Sequence, residues 1–326
     1  MKRPRAVLLA MALTVLASTA ASGAVTTNQT NVHQAIMSAV ANNLIPSNVT
    51  PSLASVANPT GVYAAQGSSM GFKCSPGSFP KFITKPVPCW LGSPTGVTWV
   101  LWGDSNAGSW IPAVAKVAAS KKVRLAVFVY PGCASQFVQG TEQGGLVKVA
   151  DCTAFHRALP AAIKALAPKV VISATLGMGF SGNQSDIPAF ATAWKNTFDA
   201  ITSSKSTIRR VLLGTTPNLA GRNIAACLAA AKDKLLLPCS ARYFSGAWYG
   251  TNYWSYVQRD IAAATTAKAT LIMTDALFCD TTSVSPNYCP SIVANKLVYV
   301  DQDHISIAYM NYIAPALTEL FGNAGF

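Results

Sequence analysis

The stretch VTWVLWGDSNAGSWIPAV, Val97 to Val114, decides the reading of the fold. Six continuous apolar or β-branched residues stop at Gly103-Asp104-Ser105-Asn106, and the residues after that turn have the spacing of a helix. An unalternating apolar run bounded by turn residues reads as a strand buried on both faces. Four more such runs lie downstream: VRLAVFVY, KVVISAT, RRVLLGTT and ATLIMTD. Each is followed by a loop and a helix-like segment, which predicts a three-layer α/β/α sandwich around a parallel sheet of about five strands, from residue 96 to the end at 326. Ligand sites in open parallel sheets lie beyond the carboxyl ends of the strands. The candidate ends carry Ser105, Gly132, Gly177, Thr215 and Asp275.

Before this domain, residues 25–95 are rich in Asn, Ser, Thr and Pro, with one helical stretch, VHQAIMSAVANNL, stopped by Pro46. They read as an extension packed on the main domain. Residues 1–24 have Lys2, Arg3 and Arg5, then an apolar stretch from Ala6 to Ala17, then small residues, which is the pattern of a secretory signal peptide. The apolar stretch is shorter than the roughly 20 residues that span a bilayer, and no later segment is longer, so the exported chain is expected not to cross the membrane. Loss of residues 1–24 removes three basic residues and takes the formal charge from +13 to +10. A basic surface favours anionic surroundings without specifying them. The basic residues form no stripe or block in the sequence, and there is no nucleic-acid motif.

In an exported chain, an even set of cysteines implies disulfides. Cys74, Cys89, Cys133, Cys152, Cys227, Cys239, Cys279 and Cys289 lie so that sequential neighbours would each close one inter-element loop. Zinc ligation needs tighter Cys and His spacing, and no metal or cofactor is expected.

A serine hydroxyl becomes nucleophilic only beside a base, and the base needs an orienting partner. His33 lies in the extension and His156 in a helix start after Cys152, both as surface or capping residues. His304 follows Asp301 by three residues, a spacing that can bring carboxylate and imidazole together on one side of a turn. Asp303 competes for the same role but, as an immediate neighbour, is less well placed. Ser105 stands where the free amides of a helix start face outward. Asp104 or Ser105 could equally cap that helix. The cluster GAWYGTNYWSY, with Trp248 and Tyr256, could stack on a sugar or pack the core.

Gly103-Asp104-Ser105, Gly132 after the second strand, and Asp301-Gln302-Asp303-His304-Ile305-Ser306 near the end resemble the SGNH (GDSL-type) hydrolase superfamily. LIPSNVTPSL, LLGTTPNL and LFCDTTSVSPNYC narrow the resemblance to the SGNH domains fused to membrane acyltransferases that O-acetylate bacterial polysaccharides. The resemblance implies a flavodoxin-like fold, Ser105 as nucleophile, His304 as general base and then acid, and Asp301 as its orienting carboxylate. It also implies an oxyanion hole made by the amides of Ser105 and Gly132, with the Cys133 loop held by Cys152. Many superfamily members add an asparagine side chain after the third strand. Here that loop reads ATLGMGFSGNQSD, and Asn183 lies late for the part, with Asn106 a substitute.

The implied function is an exported or cell-envelope serine esterase or O-acyltransferase for small acyl esters of carbohydrate. No acyltransferase membrane part is expected within these residues, so transfer would call on a separate membrane acyltransferase as donor. A catalytically weak cell-envelope polysaccharide-binding module on the same fold, or a lipase or esterase for lipid esters, are the competing expectations.

Overall fold

The computed structural model describes residues 26–56, 83–137, 147–174, 184–202, 207–217, 223–231, 233–243, 253–282 and 287–326. The five apolar runs form strands β2 (Thr98–Gly103), β3 (Arg124–Val129), β4 (Val170–Ala174), β5 (Arg209–Leu213) and β7 (Thr270–Ile272), all parallel. A further strand, β1 (Cys89–Gly92), pairs antiparallel with β3, giving the order β1-β3-β2-β4-β5-β7. This edge strand lies within residues 25–95 and was not expected. Four residues, Cys-Trp-Leu-Gly, are too few to show a period, and only the open edge of β3 makes them a strand. A short β6 (Ala241–Arg242) pairs with β8 (Tyr288–Cys289) outside the main sheet.

Helices α1 (Thr27–Asn42), α2 (Ser105–Ser120), α3 (Val149–Ala165), α4 (Ile187–Ile201), α5 (Ile224–Ala230), α6 (Tyr253–Ala267) and α7 (Ile307–Asn323) cover the sheet. The period of two along each strand sorts them into layers. Trp99, Leu101, Leu125, Val127 and Ile172 point into one core with α1, α2 and α7. Val100, Trp102, Ala126, Phe128 and Val171 point into the other with α3, α4 and α6. That double burial is why the strands carry continuous apolar sequence.

On the first face α2 and α7 lie side by side. Their last turns meet at the amino end of the sheet, where Lys121 Nζ donates to the Phe326 main-chain oxygen at 2.6 Å and Phe326 packs on Trp99 at the start of β2. The two helices, of 16 and 17 residues, therefore run the same way and both begin at the carboxyl edge. Trp110 of α2 touches Phe278, which in turn touches Tyr309 of α7, closing the pair near that end. α1 runs opposite to α7, with Val32 and Ile36 buried in the same core, and its first amides are taken by Glu319 of α7.

Candidate active site

The turn from β2 into α2 is shaped by Gly103. Its φ is +150°, and a Cβ there would lie 2.6 Å from Ala107 Cβ, the Ala174 carbonyl oxygen and Ser135 Oγ. Only glycine fits. Asp104, fully buried, is the cap of α2: its side chain accepts from the amides of Asn106 at 2.8 Å and Ala107 at 3.3 Å. Of the two residues that could cap this helix, Asp104 takes the work and leaves Ser105 as the first helical residue, half-buried. The Ser105 hydroxyl makes no hydrogen bond among the described residues, and its amide is one that the cap does not occupy.

The loop after β3 is fastened to this turn on either side of Gly132. The Tyr130 amide donates to the Gly103 carbonyl at 2.9 Å, and the Asp104 amide donates to Ser135 Oγ at 3.1 Å. Ser135 Oγ donates in turn to the Ala174 carbonyl at 2.7 Å, so one hydroxyl joins the carboxyl ends of β2 and β4. Gly132 turns the loop at φ +78°, and Cys133 is bonded to Cys152 of α3. His156 lies against that disulfide, with Nε2 2.7 Å from the Ala134 carbonyl, so its imidazole is a strut of the loop.

His304 stands one turn before α7. Residues 299–305 close on themselves through the Tyr299–Ile305 bridge and the Val300 amide, which donates to the His304 carbonyl at 3.0 Å. Asp301 Oδ1 accepts from the amides of Asp303 at 3.0 Å and His304 at 2.8 Å, and its Oδ2 faces His304 Nδ1 at 2.7 Å. Asp303 is also on this ring, with Oδ1 3.1 Å from Nδ1. Asp301 thus faces the ring as its three-residue spacing predicts, and Asp303, expected to be less well placed, reaches it too. A one-residue neighbour reaches the imidazole because the turn folds back.

Carboxylates accept only, so Nδ1 carries the proton that faces them and Nε2 of the neutral ring is a free acceptor. Nε2 is buried and has no hydrogen-bond partner among the described residues, Ser105 Oγ included. Burial alone would lower the His304 pKa, but the hydrogen bonds and charges of Asp301 and Asp303 outweigh it and hold it well above 6.5. Asp301 is opposed by burial too, yet its bonds to His304 and two amides bring it down to about 2. Burial keeps Asp303 above the ordinary carboxylate value.

Since α2 and α7 start at the same edge, Ser105 and His304 lie at the same end of the molecule, where sheets of this kind bind ligands. Asn106 is buried there and its Oδ1 is 3.5 Å from Thr216 Oγ1 on the loop after β5. His33 is on α1. Asn183, Cys74 and Trp248 lie outside the described residues. The expected pairs Cys133–Cys152, Cys227–Cys239 and Cys279–Cys289 are all formed, and Cys89 is disulfide-bonded. Among the described residues two donor sets have their ligand atoms within 4.8 Å of one another, Cys133 with Cys152 and His156, and Asp301 with Asp303 and His304. In the first both sulfurs are spent in a disulfide, and in the second Nδ1 is taken by the carboxylates. Ser135 escaped the sequence reading because nothing local marks a hydroxyl that bridges two distant strands.

The chain matches the family model for the SGNH domain (fused to AT3 domains) over residues 73–319. Its fold is similar to that of the lipopolysaccharide acetyltransferase periplasmic domain of Salmonella ser. Paratyphi A, with a TM-score of 0.57 and 17% identity over 83% of this chain and 98% of that one. A Bacteroides fragilis protein provisionally named an acylhydrolase is also similar, with a TM-score of 0.37 and 14% identity over 72% of this chain and 90% of the other. No curated protein sequence is significantly similar. Among the described residues no helix is long and apolar enough to cross a membrane. With the family model covering most of the chain, from before β1 into α7, the chain belongs to the SGNH domains fused to AT3 domains and is an enzyme of the SGNH hydrolase or acyltransferase type.

Proposed function

We propose that the protein is an extracytoplasmic serine esterase or O-acyltransferase that acts on small acyl groups, acetyl above all, carried by carbohydrate. The observation that carries this reading is the His304 ring, locked by Asp301 on one nitrogen and bare on the other, at the edge where Ser105 opens α2. Nε2 takes the Ser105 proton as Oγ bonds to the ester carbonyl carbon. The carbonyl oxygen becomes an oxyanion held by the amides of Ser105 and Gly132. As the ester C–O bond breaks, the leaving alcohol oxygen takes the proton from His304. Water or a sugar hydroxyl then attacks the acyl-serine by the same steps in reverse order. The disulfides and the N-terminal signal pattern support export. The AT3 context of the family supports a membrane acyltransferase as donor for transfer.

The test is hydrolysis of p-nitrophenyl acetate by the purified protein and by Ser105→Ala, with a fluorophosphonate probe followed by mass spectrometry. The variant should lose about three orders of magnitude or more in kcat/KM, and the probe should label Ser105. Equal rates would favour a binding module. Activity that climbs with acyl length would favour a lipase.

A further inference from the structure

The edge of the sheet opposite the candidate site is basic. Arg124 opens β3, Lys169 immediately precedes β4, Arg209 opens β5, and Lys268 stands two residues before β7. These strand starts are neighbours in the sheet apart from β2, which lies between β3 and β4. Register ties them: the Lys169 amide donates to the Thr98 carbonyl at 2.8 Å and the Arg209 amide to the Lys169 carbonyl at 3.0 Å. At about 4.8 Å per strand, the four cations span roughly 20 Å in one row. Lys122 adds a charge before β3 and Lys164 one in the last turn of α3.

Arg209 is held, its guanidinium donating to the Gly325 and Ala324 carbonyls at 2.6 and 2.9 Å and lying over the Phe326 ring, but acidic side chains scarcely neutralise the row. Among the described residues, the acids at this end are Asp199, which Arg210 and Lys195 already pair at 2.8 and 2.6 Å, and Glu319, which Thr26, Asn28 and Gln29 occupy. Lys122, Lys169 and Lys268 are exposed and make no ion pair among the described residues. Asp104, Asp275, Asp301 and Asp303 all lie at the other edge. The sequence hid this, because the cations are dozens of residues apart and only the parallel sheet lines them up.

Apolar side chains stand beside the row. Val97, whose carbonyl accepts from the Arg124 amide at 3.0 Å, is 49% exposed. Trp90 on the edge strand β1 is 40% exposed, with the Arg124 guanidinium 4.1 Å over its ring. Cations interleaved with an exposed tryptophan and valine match a bilayer interface, where a ring sits at headgroup depth, better than a fully hydrated polymer. We propose that this amino edge docks on the surface of an anionic phospholipid bilayer, which leaves the Ser105 edge facing away from the membrane.

The test is co-sedimentation of the full mature protein with vesicles of equal phosphatidylglycerol and phosphatidylcholine, and with phosphatidylcholine alone. The set Lys122→Glu, Lys169→Glu and Lys268→Glu is compared with Lys148→Glu, Lys234→Glu and Lys296→Glu, which changes net charge equally elsewhere. The amino-edge set should lower partitioning onto anionic vesicles by about tenfold or more, and the control set by less than about threefold. Trp90→Ser with Val97→Ser should weaken vesicle binding and leave binding to dextran sulfate unchanged. Secondary structure by circular dichroism, which does not depend on the reading of the active site, verifies that each variant is folded. The milder Lys→Gln set replaces any that is not. Equal losses in the two sets, equal binding to neutral vesicles, or a Trp90 and Val97 pair without effect on vesicle binding would each overturn the proposal.

Discussion

At Nδ1 of His304 two carboxylates compete for one proton, and their roles separate by geometry. Asp301 makes three hydrogen bonds into its own turn and is the anion, brought down to about 2. Asp303, buried and 3.1 Å away, adds a second pull on the imidazolium. His304, as the proposed general base, works only when unprotonated, and both carboxylates raise its pKa. The acid limb of kcat/KM against pH should therefore have its midpoint above 6.5, with activity increasing as pH rises through it. Asp303→Asn should shift that limb to lower pH while retaining most of the alkaline plateau. Asp301→Asn should cut the plateau itself by about two orders of magnitude or more, because the ring loses its tautomer and its hold. A limb unmoved by Asp303→Asn would leave Asp303 with a packing role only.

Among the elements, the loop after β3 depends most on a cross-link. Its residues 130–135 are fixed to Gly103 and Asp104 at main-chain and hydroxyl contacts, and the Cys133–Cys152 bond with the His156 strut secures the far side. Two removed cysteines, as in Cys133→Ser with Cys152→Ser, should cost about 3 kcal/mol in the chain-entropy model, read as a lower midpoint in guanidinium unfolding. Because Gly132 is in the loop, kcat should fall by more than KM changes. Loss of stability with an unchanged kcat would show that the contacts to Gly103 and Asp104 hold the loop by themselves.

Across the whole molecule, one buried cation joins layers that the sequence keeps far apart. Arg259 of α6 is 0% exposed, stacked 4.0 Å from the Phe190 ring of α4 and 4.6 Å from Tyr256. Its Nη2 donates to Thr215 Oγ1 at 2.9 Å and lies 3.3 Å from Asp260 Oδ1, while Asp260 Oδ2 accepts from the Thr215 amide at 2.6 Å. The Tyr253 hydroxyl completes the cluster on the Thr215 carbonyl. These bonds secure the loop that reaches Asn106 through Thr216. Arg259→Ala leaves Asp260 buried beside an empty site and should destabilise the fold by about 3–5 kcal/mol, measured by thermal or denaturant unfolding. A change below about 1 kcal/mol would mean that Thr215 satisfies Asp260 unaided.

The parallel strands, the Ser105 turn and the Asp301–His304 pair were all legible in the sequence, because each rests on local information: apolar continuity, a cap next to a serine, and a three-residue spacing. Three sequential disulfides were legible for the same reason, since each closes a short loop. Strand β1, the Ser135 bridge, the second carboxylate on His304 and the basic amino edge were decided only by the tertiary structure. Each arises where residues remote in sequence, or a turn that folds back, are brought within a few ångströms, and no periodicity along the chain encodes such a meeting.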